Sequence, residues 1–352
     1  MIDPSIVDLD RVARWMDERA LEFGPLIDVE LLTGGTQNIL LRFRRGHRSF
    51  VLRRPPPNKR ANSDETMRRE SRVLAALAGT DVPHPALIAA EPDEAVIGAA
   101  FFLMEPIDGY NVTLGLPPAF VDDASAQREI GLSMADSIAA LARIDPTAQG
   151  IADLGKWDGW GERQVPRWRK QLDSYASFEG YAGPDIPGVD DVGEWLDSHR
   201  PTDLRPGIIH GDFHFANVLI HPTEPRVAAI VDWELTTIGD PLLDLGHLLA
   251  CWPNRQAGES TPIALAELPT IEEVVARYAV SSERDLSALT WFRVLACYRL
   301  GLILEGTHAR ASAGLAPKEI GDRLHAHTLA LFAQAIELIA EWSSHPVDRA
   351  TP

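Results

Sequence analysis

Residues 208–219 read Ile208-Ile209-His210-Gly211-Asp212-Phe213-His214-Phe215-Ala216-Asn217-Val218-Leu219. An apolar, β-branched run enters, a polar loop follows, and a second apolar run leaves. Within the loop Asp212 and Asn217 stand five positions apart. Downstream, Ala229-Ile230-Val231-Asp232-Trp233-Glu234 repeats the device, a strand ending abruptly in a carboxylate. Two acids and an amide at the ends of paired strands offer the oxygen ligands that a hard cation such as Mg²⁺ takes, one or two carboxylates beside phosphate oxygens. Singly, Asp212 and Asn217 read equally well as turn residues bonding their own backbone. Their joint placement between β-rich runs points to chemistry.

Outward from this segment the chain changes character near residue 107. Before it, strand-like runs at 27–32, 38–43, 49–53 and 101–104 are separated, for the first three, by Gly-rich or Arg-Gly turns, the pattern of antiparallel hairpins. One helix interrupts them, from about Asp64 to Ala78, with caps offered by Asn62 and Ser63 and prolines beyond its end. After residue 107, helical spacing dominates at 127–144, 157–175, 189–199, 271–278, 285–305 and 318–339. The expected fold is α+β and two-lobed. A small antiparallel β-rich lobe spans residues 1–106, and a larger, mostly helical lobe spans 107–352 and carries the 208–232 segments. A short hinge near Glu105–Gly109 joins them, and a cleft between lobes is a common ligand site.

Bulk properties narrow the function. The chain has 352 residues and a formal net charge of −18. Phosphate backbones need a basic face, so the charge argues against nucleic acid as a partner. The charge serves solubility first, and would also steer a cationic substrate. No apolar run reaches the length of a membrane span, and the amino terminus reads as a capped amphipathic helix rather than a leader. Two cysteines, Cys251 and Cys297, make neither a disulfide framework nor a zinc site. The cytoplasm is the expected compartment; oligomeric state is left open.

His-Gly-Asp-Phe-His-Phe-Ala-Asn followed by Ile-Val-Asp-Trp-Glu resembles the catalytic segments of the aminoglycoside phosphotransferase and choline kinase superfamily, relatives of the protein kinases. That resemblance covers roughly residues 27–252. It implies a kinase-like fold, ATP or GTP as co-substrate, and a small-molecule hydroxyl as acceptor. It gives Asp212 the catalytic role of orienting and deprotonating that hydroxyl, and Asn217 and Asp232 the metal ions. Gly34, Gly35 and Thr36, between two strand runs, would approach the phosphates, although Gly-Gly is also an ordinary hairpin turn. The strand Ser49–Arg54 would carry the phosphate-binding cation. Arg53 stands where kinases usually have lysine, an exchange that alters geometry as well as donor count. Val-Leu-Arg-Arg-Pro-Pro at 51–56 and Glu162–Trp168 are similar to the branch associated with acyl-CoA dehydrogenases.

Glu70 lies in the apolar stripe of Met67, Leu74 and Leu77, where a carboxylate is costly unless paired; Arg53 is the expected partner. Met104 and Glu105 sit in the strand and hinge that would hold the base. Asp244 is read as a brace for the catalytic segment and Asp240 as a helix cap. The branch implies a hydroxyacyl-CoA or hydroxy acid acceptor, whose phosphates Arg163, Arg167 or Arg169 could meet. Segments 107–125 and 157–180 (Tyr110, Trp157, Trp160, Trp168, Tyr175) and the final helices are expected to line the site, although each of these aromatics reads first as core packing. An aminoglycoside, sugar or choline-type alcohol is the alternative from the wider family. A nucleotide-binding scaffold without catalysis is the alternative from another class, motivated by Arg53.

Overall fold

A computed structural model describes residues 6–32, 38–253 and 263–344. Helix α1 (Leu9–Glu18) is capped by Asp8, whose carboxylate accepts from the Arg11 N–H. Five strands follow around one helix: β1 (Ile27–Leu31), β2 (Ile39–Arg45), β3 (Arg48–Arg54), α2 (Ser63–Leu77), β4 (Leu87–Glu91) and β5 (Phe101–Met104). They form one antiparallel sheet in the order β1-β2-β3-β5-β4.

Period-2 alternation gives the sheet two apolar faces. Leu41, Phe43, Phe50, Leu52, Phe101 and Leu103 pack against Val12, Trp15 and Met16 of α1. Val51, Phe102 and Met104 share the opposite core with Met67, Val73, Leu74 and Leu77 of α2. Arg53, two residues beyond Val51, therefore shares the α2 face, whereas Arg54 on the other face donates to the Ile6 carbonyl at 2.9 Å.

The second lobe comprises α3 (Ala124–Ala142), α4 (Gln164–Ser174), α5 (Val189–Ser198), β6 (Gly207–Ile209), β7 (Val218–Ile220), β8 (Val227–Ile230), β9 (Thr237–Gly239), α6 (Leu242–Ala250), α7 (Ile271–Ser281), α8 (Leu289–Ser312) and α9 (Lys318–Ser344). Two small antiparallel ribbons, β6–β9 and β7–β8, interrupt the helices. Buried α6 packs on α8, and α8 on α9.

The expected strand runs and helices recur, with informative shifts. The helix expected from Trp157 begins only at Gln164, because Gly159 turns left-handed at φ 64°. The helix expected over 285–305 starts at Leu289, because Asp285 turns back to accept from the Ser287 N–H at 2.9 Å. Strand β4, Leu-Ile-Ala-Ala-Glu, was not expected: it has neither alternation nor turn glycines, and gains strand form from its pairing with β5.

Gly246 lets α6 approach α8. A Cβ there would lie 2.6 Å from the Phe292 carbonyl oxygen. Gly246→Ala is therefore expected to destabilise the protein by about 1–3 kcal/mol through overpacking, read as a lower midpoint in urea with the slope unchanged.

Candidate active site

The two ribbons bring the polar loops together. Loop 210–217 joins β6 to β7, and loop 231–236 joins β8 to β9, so β6–β9 and β7–β8 pairing sets both loops side by side. The loops are then tied directly. The Val231 N–H donates to the Asn217 carbonyl at 2.9 Å, and His210 Nε2 lies 3.0 Å from the Val231 carbonyl. His210 Nδ1 accepts from the Asp212 N–H at 3.2 Å, so the proton is on Nε2, which donates to Val231. Burial pushes His210 down to about 4, in keeping with a neutral ring.

Beneath the loop lies Asp244 of α6. Its two carboxylate oxygens accept the His210 N–H at 2.6 Å and the Gly211 N–H at 2.9 Å. Burial pushes its carboxyl up to about 6, against those hydrogen bonds. Arg299 of α8 donates to the Gly211 carbonyl at 2.5 Å. Gly211 has φ 84°, and a Cβ on it would lie 2.8 Å from the Leu235 carbonyl oxygen; only glycine fits. Asp240 accepts from the Leu242 and Arg205 N–H groups at 3.0 and 2.8 Å, closing the start of α6.

Asp212, half-buried, meets three side chains. Asn217 Nδ2 donates to its Oδ2 at 3.0 Å and to its own carbonyl at 2.9 Å. His214 Nε2 lies 3.5 Å from Oδ2, and His247 Nε2 lies 3.4 Å from Oδ1. Burial alone would raise the Asp212 carboxyl; His214 and His247 outweigh it and hold the group well below the usual carboxylate range. Asp232 occupies the left-handed region at φ 66°, ψ 62°, a backbone cost of the kind that collects at functional sites. Its Oδ1 accepts from Arg53 Nη2 at 2.8 Å. Arg53 Nε lies 2.9 Å from Glu70 Oε2, so one guanidinium joins β3, α2 and the loop after β8. Burial pushes Glu70 up to about 7 against the pull of Arg53; the pair is worth more as a geometric clamp than as net attraction.

Met104 is buried in β5, paired with Val51 and Leu87. Glu105 pairs with Arg48 at 2.7 Å, and its N–H donates to the Ala86 carbonyl at 2.9 Å. Gly34, Gly35 and Thr36 lie outside the described residues.

From Asp212 a cavity of about 870 Å³ runs between α6, α8 and α9. The final helices line it. Segments 107–125 and 157–180 do not, and their aromatic residues are engaged elsewhere. Trp160 stacks on Trp157 and packs against Phe292, Trp168 lies under Arg299, Tyr175 donates to the Leu302 carbonyl at 2.9 Å, and Tyr110 bridges to Ile220. The arginines expected to meet an anionic acceptor are also elsewhere. Arg163 donates to backbone carbonyls of Asp158 and Lys156, Arg167 lies over Trp168, and Arg169 pairs with Asp190. Arg293 and Arg299 take their place in the cavity wall.

A model of the phosphotransferase enzyme family matches residues 28–276. The chain belongs to that family. Among curated proteins it is similar to acyl-CoA dehydrogenase family member 11 of Gallus gallus, 28% identical over 337 residues. The match covers 92% of this chain and 42% of that protein, so the chain spans about two fifths of the length of that relative. Among solved structures, a Ralstonia eutropha protein proposed to be an aminoglycoside phosphotransferase superposes with a TM-score of 0.77 at 29% identity, covering 94% of this chain and 99% of the other. A Plasmodium vivax ethanolamine kinase shares the fold at 14% identity and a TM-score of 0.56, covering 88% and 83%. The kinase-like two-lobed fold follows, with membership of a phosphotransferase enzyme family.

Three side chains placed around Asp212 and its loop escaped the sequence reading. His247 and Arg299 are polar side chains within apolar helical runs, and a buried polar group must find a partner; that was the available signal. His214 shows no ligand spacing, and its place beside Asp212 comes from the loop's turn.

Two outcomes follow from the clamp and from His210. Arg53→Met strands a buried carboxylate and should cost about 3–5 kcal/mol, with much of it recovered when Glu70→Leu is added, in a double-mutant denaturation cycle. His210 has its folded value below its unfolded one, so its contribution is full above about pH 6.5 and lost as pH falls toward 4. The stability difference between wild type and His210→Gln should shrink by about 3 kcal/mol between pH 7 and pH 4.

Proposed function

We propose that this enzyme transfers the γ-phosphoryl group of ATP or GTP to a hydroxyl on an elongated, partly aliphatic hydroxy acid or hydroxyacyl thioester such as a hydroxyacyl-CoA. The observation that carries the reading is the cavity that begins at Asp212. Ile303, Leu304, Leu324 and Leu331 give it an aliphatic wall, and Arg293 and Arg299 give it cationic groups. An acyl chain would bury apolar surface there, at about 25 cal/mol per Å² removed from water, with its anionic end near arginine.

In this reading Asp212 is the catalytic residue. Its depressed pKa makes it a weak base, so its main work is to accept the hydrogen bond of the acceptor hydroxyl and aim the oxygen. The new bond joins that oxygen to phosphorus as the bridging P–O bond of the nucleotide breaks. The hydroxyl proton passes to Asp212, and the nucleoside diphosphate leaves. Asn217 and Asp232 would hold Mg²⁺. The donor set fits: both side chains present oxygen, and Asn217, donating through Nδ2 to Asp212, keeps Oδ1 as its acceptor. When bound, the metal would neutralise charge on the phosphate oxygens. Arg53 would address the phosphates in place of lysine, held in position by Glu70. Gly34, Gly35 and Thr36 would cover the phosphates, and Met104 and Glu105 would border the base. Residues 1–106 would form the nucleotide lobe, and 107–352 the lobe that takes the acceptor.

A polycationic or choline-like acceptor is the second reading. Glu337 and Glu341 also line the cavity, and the net charge is −18.

Nucleoside diphosphate release, measured across hydroxyacyl, sugar, aminoglycoside and amino-alcohol acceptors, decides between them; stimulation by cationic acceptors alone would remove the hydroxyacyl reading. Asp212→Asn should lower kcat about 10²–10⁴-fold while nucleotide binding persists by calorimetry. Undiminished turnover in that variant would end the catalytic assignment.

A further inference from the structure

A second cluster of metal-ligating side chains lies away from the catalytic loops, between α8 and α9. Glu305 and His308 are one turn apart on α8, and Asp322 and His325 are one turn apart on α9. One ligand atom each from Glu305, His308 and His325 lies within 4.8 Å of the others. The two imidazoles stack with centroids 4.5 Å apart. Asp322 Oδ1 stands 3.9 Å from His308 Nδ1.

The set has the features of a built site. The Glu305 side chain is fully buried. Tyr181 donates to its Oε1 at 2.8 Å, and His325 Nδ1 to its Oε2 at 2.7 Å. A ligating carboxylate is characteristically oriented by such an outer hydrogen bond, here the tyrosine. His308 Nδ1 is buried without a hydrogen-bond partner, an expense that a native core rarely carries without a reason. Both histidines keep about a quarter of their side chains exposed, 25% and 23%, which leaves a path for an ion. The helices are pressed together at this level: Gly321 of α9 lies against Ala311 and the His308 backbone, where a Cβ would collide.

We propose that Glu305, His308 and His325 form a Zn²⁺ site that clamps α8 to α9, with water in the fourth position. Two imidazoles with carboxylate oxygen suit zinc among the common ions. Zinc bonds of about 2.0–2.1 Å set tetrahedral ligand atoms roughly 3.4 Å apart, against the 4.8 Å within which the three ligand atoms now lie. The ion would replace the proton that His325 gives Glu305, and binding would release protons. Ile303, Leu304 and Leu324 beside the cluster line the acceptor cavity. The clamp would therefore stiffen one wall of that cavity. The site does not depend on the phosphoryl-transfer reading.

The test is calorimetric titration of the full, chelator-stripped chain with Zn²⁺ alone, without nucleotide. One equivalent should bind with a Kd below about 0.1 mM, persist in Asp232→Asn, and weaken at least tenfold in His308→Ala and His325→Ala. Co²⁺ loading should give the visible absorption of a tetrahedral ion. On the unaltered chain, Zn²⁺ should protect His308 and His325 from diethyl pyrocarbonate, read by peptide mass spectrometry, so the proposal stays testable even where a variant folds poorly. No saturable binding, binding that vanishes in Asp232→Asn but survives in His308→Ala, or equal modification with and without Zn²⁺ would each overturn it.

Discussion

The interaction on which the site depends is the contact of one guanidinium with two carboxylates. Arg53 reaches Glu70 with Nε and Asp232 with Nη2, at 2.9 and 2.8 Å. Glu70 belongs to the helix packed on the sheet; Asp232 ends a strand of the other lobe. A planar, always-charged group with several donors can bridge two acids at fixed angles, which a lysine ammonium does as a point charge. The cost is desolvation, since Arg53 and Glu70 are both buried. Low-dielectric surroundings make such a clamp sensitive to the loss of any member and so make it a positioning device.

A parallel constraint acts on the 210–217 loop from below. The Asp244 carboxylate takes two consecutive backbone N–H groups, Arg299 takes the Gly211 carbonyl, and the neutral His210 ring ties the loop to its neighbour. Backbone groups in a tight turn have no ladder partners, and when buried they must be satisfied by side chains. Satisfying them here fixes the loop that presents Asp212. A separate pair of side chains acts on the carboxylate. His214 and His247 meet Asp212 itself, and together they keep it ionised despite its burial. Among the described residues no helix is long and apolar enough to cross a membrane, and the long helices α8 and α9 spend their apolar faces on each other and on the cavity.

Particular elements show how far the sequence alone could be read. β2 carries alternation, β3 and β5 carry short apolar runs between polar or turn residues, and α2 carries caps and an apolar stripe, so local pattern and final structure coincide. The Arg53–Glu70 pair was legible for the same reason: a strand of period 2 and a helix of period 3.6 put both side chains on facing surfaces. The start of α4 and the existence of β4 were not legible, because a left-handed glycine and a neighbouring strand decided them. Which segments line the cavity beside Asp212 was not legible, because aromatic residues in 157–180 look alike whether they stack on a ligand or on Phe292 and Arg299.

Sequence by itself determined what short-range chemistry determines: the lobe order, the strand-loop-strand segments, and the identity of Asp212, Asn217 and Asp232 as a set of oxygen donors at strand ends. Tertiary structure decided which distant groups those residues meet. His247 lies 35 positions from Asp212, and Arg299 lies 88 from the Gly211 carbonyl that it binds. The helices after residue 271, which carry no recognisable motif, supply the wall of the cavity and the Glu305–His308–His325 cluster. The physical reason is common to all of these. Periodicity reports which face of an element is apolar, but which two faces meet is set by packing of the whole chain.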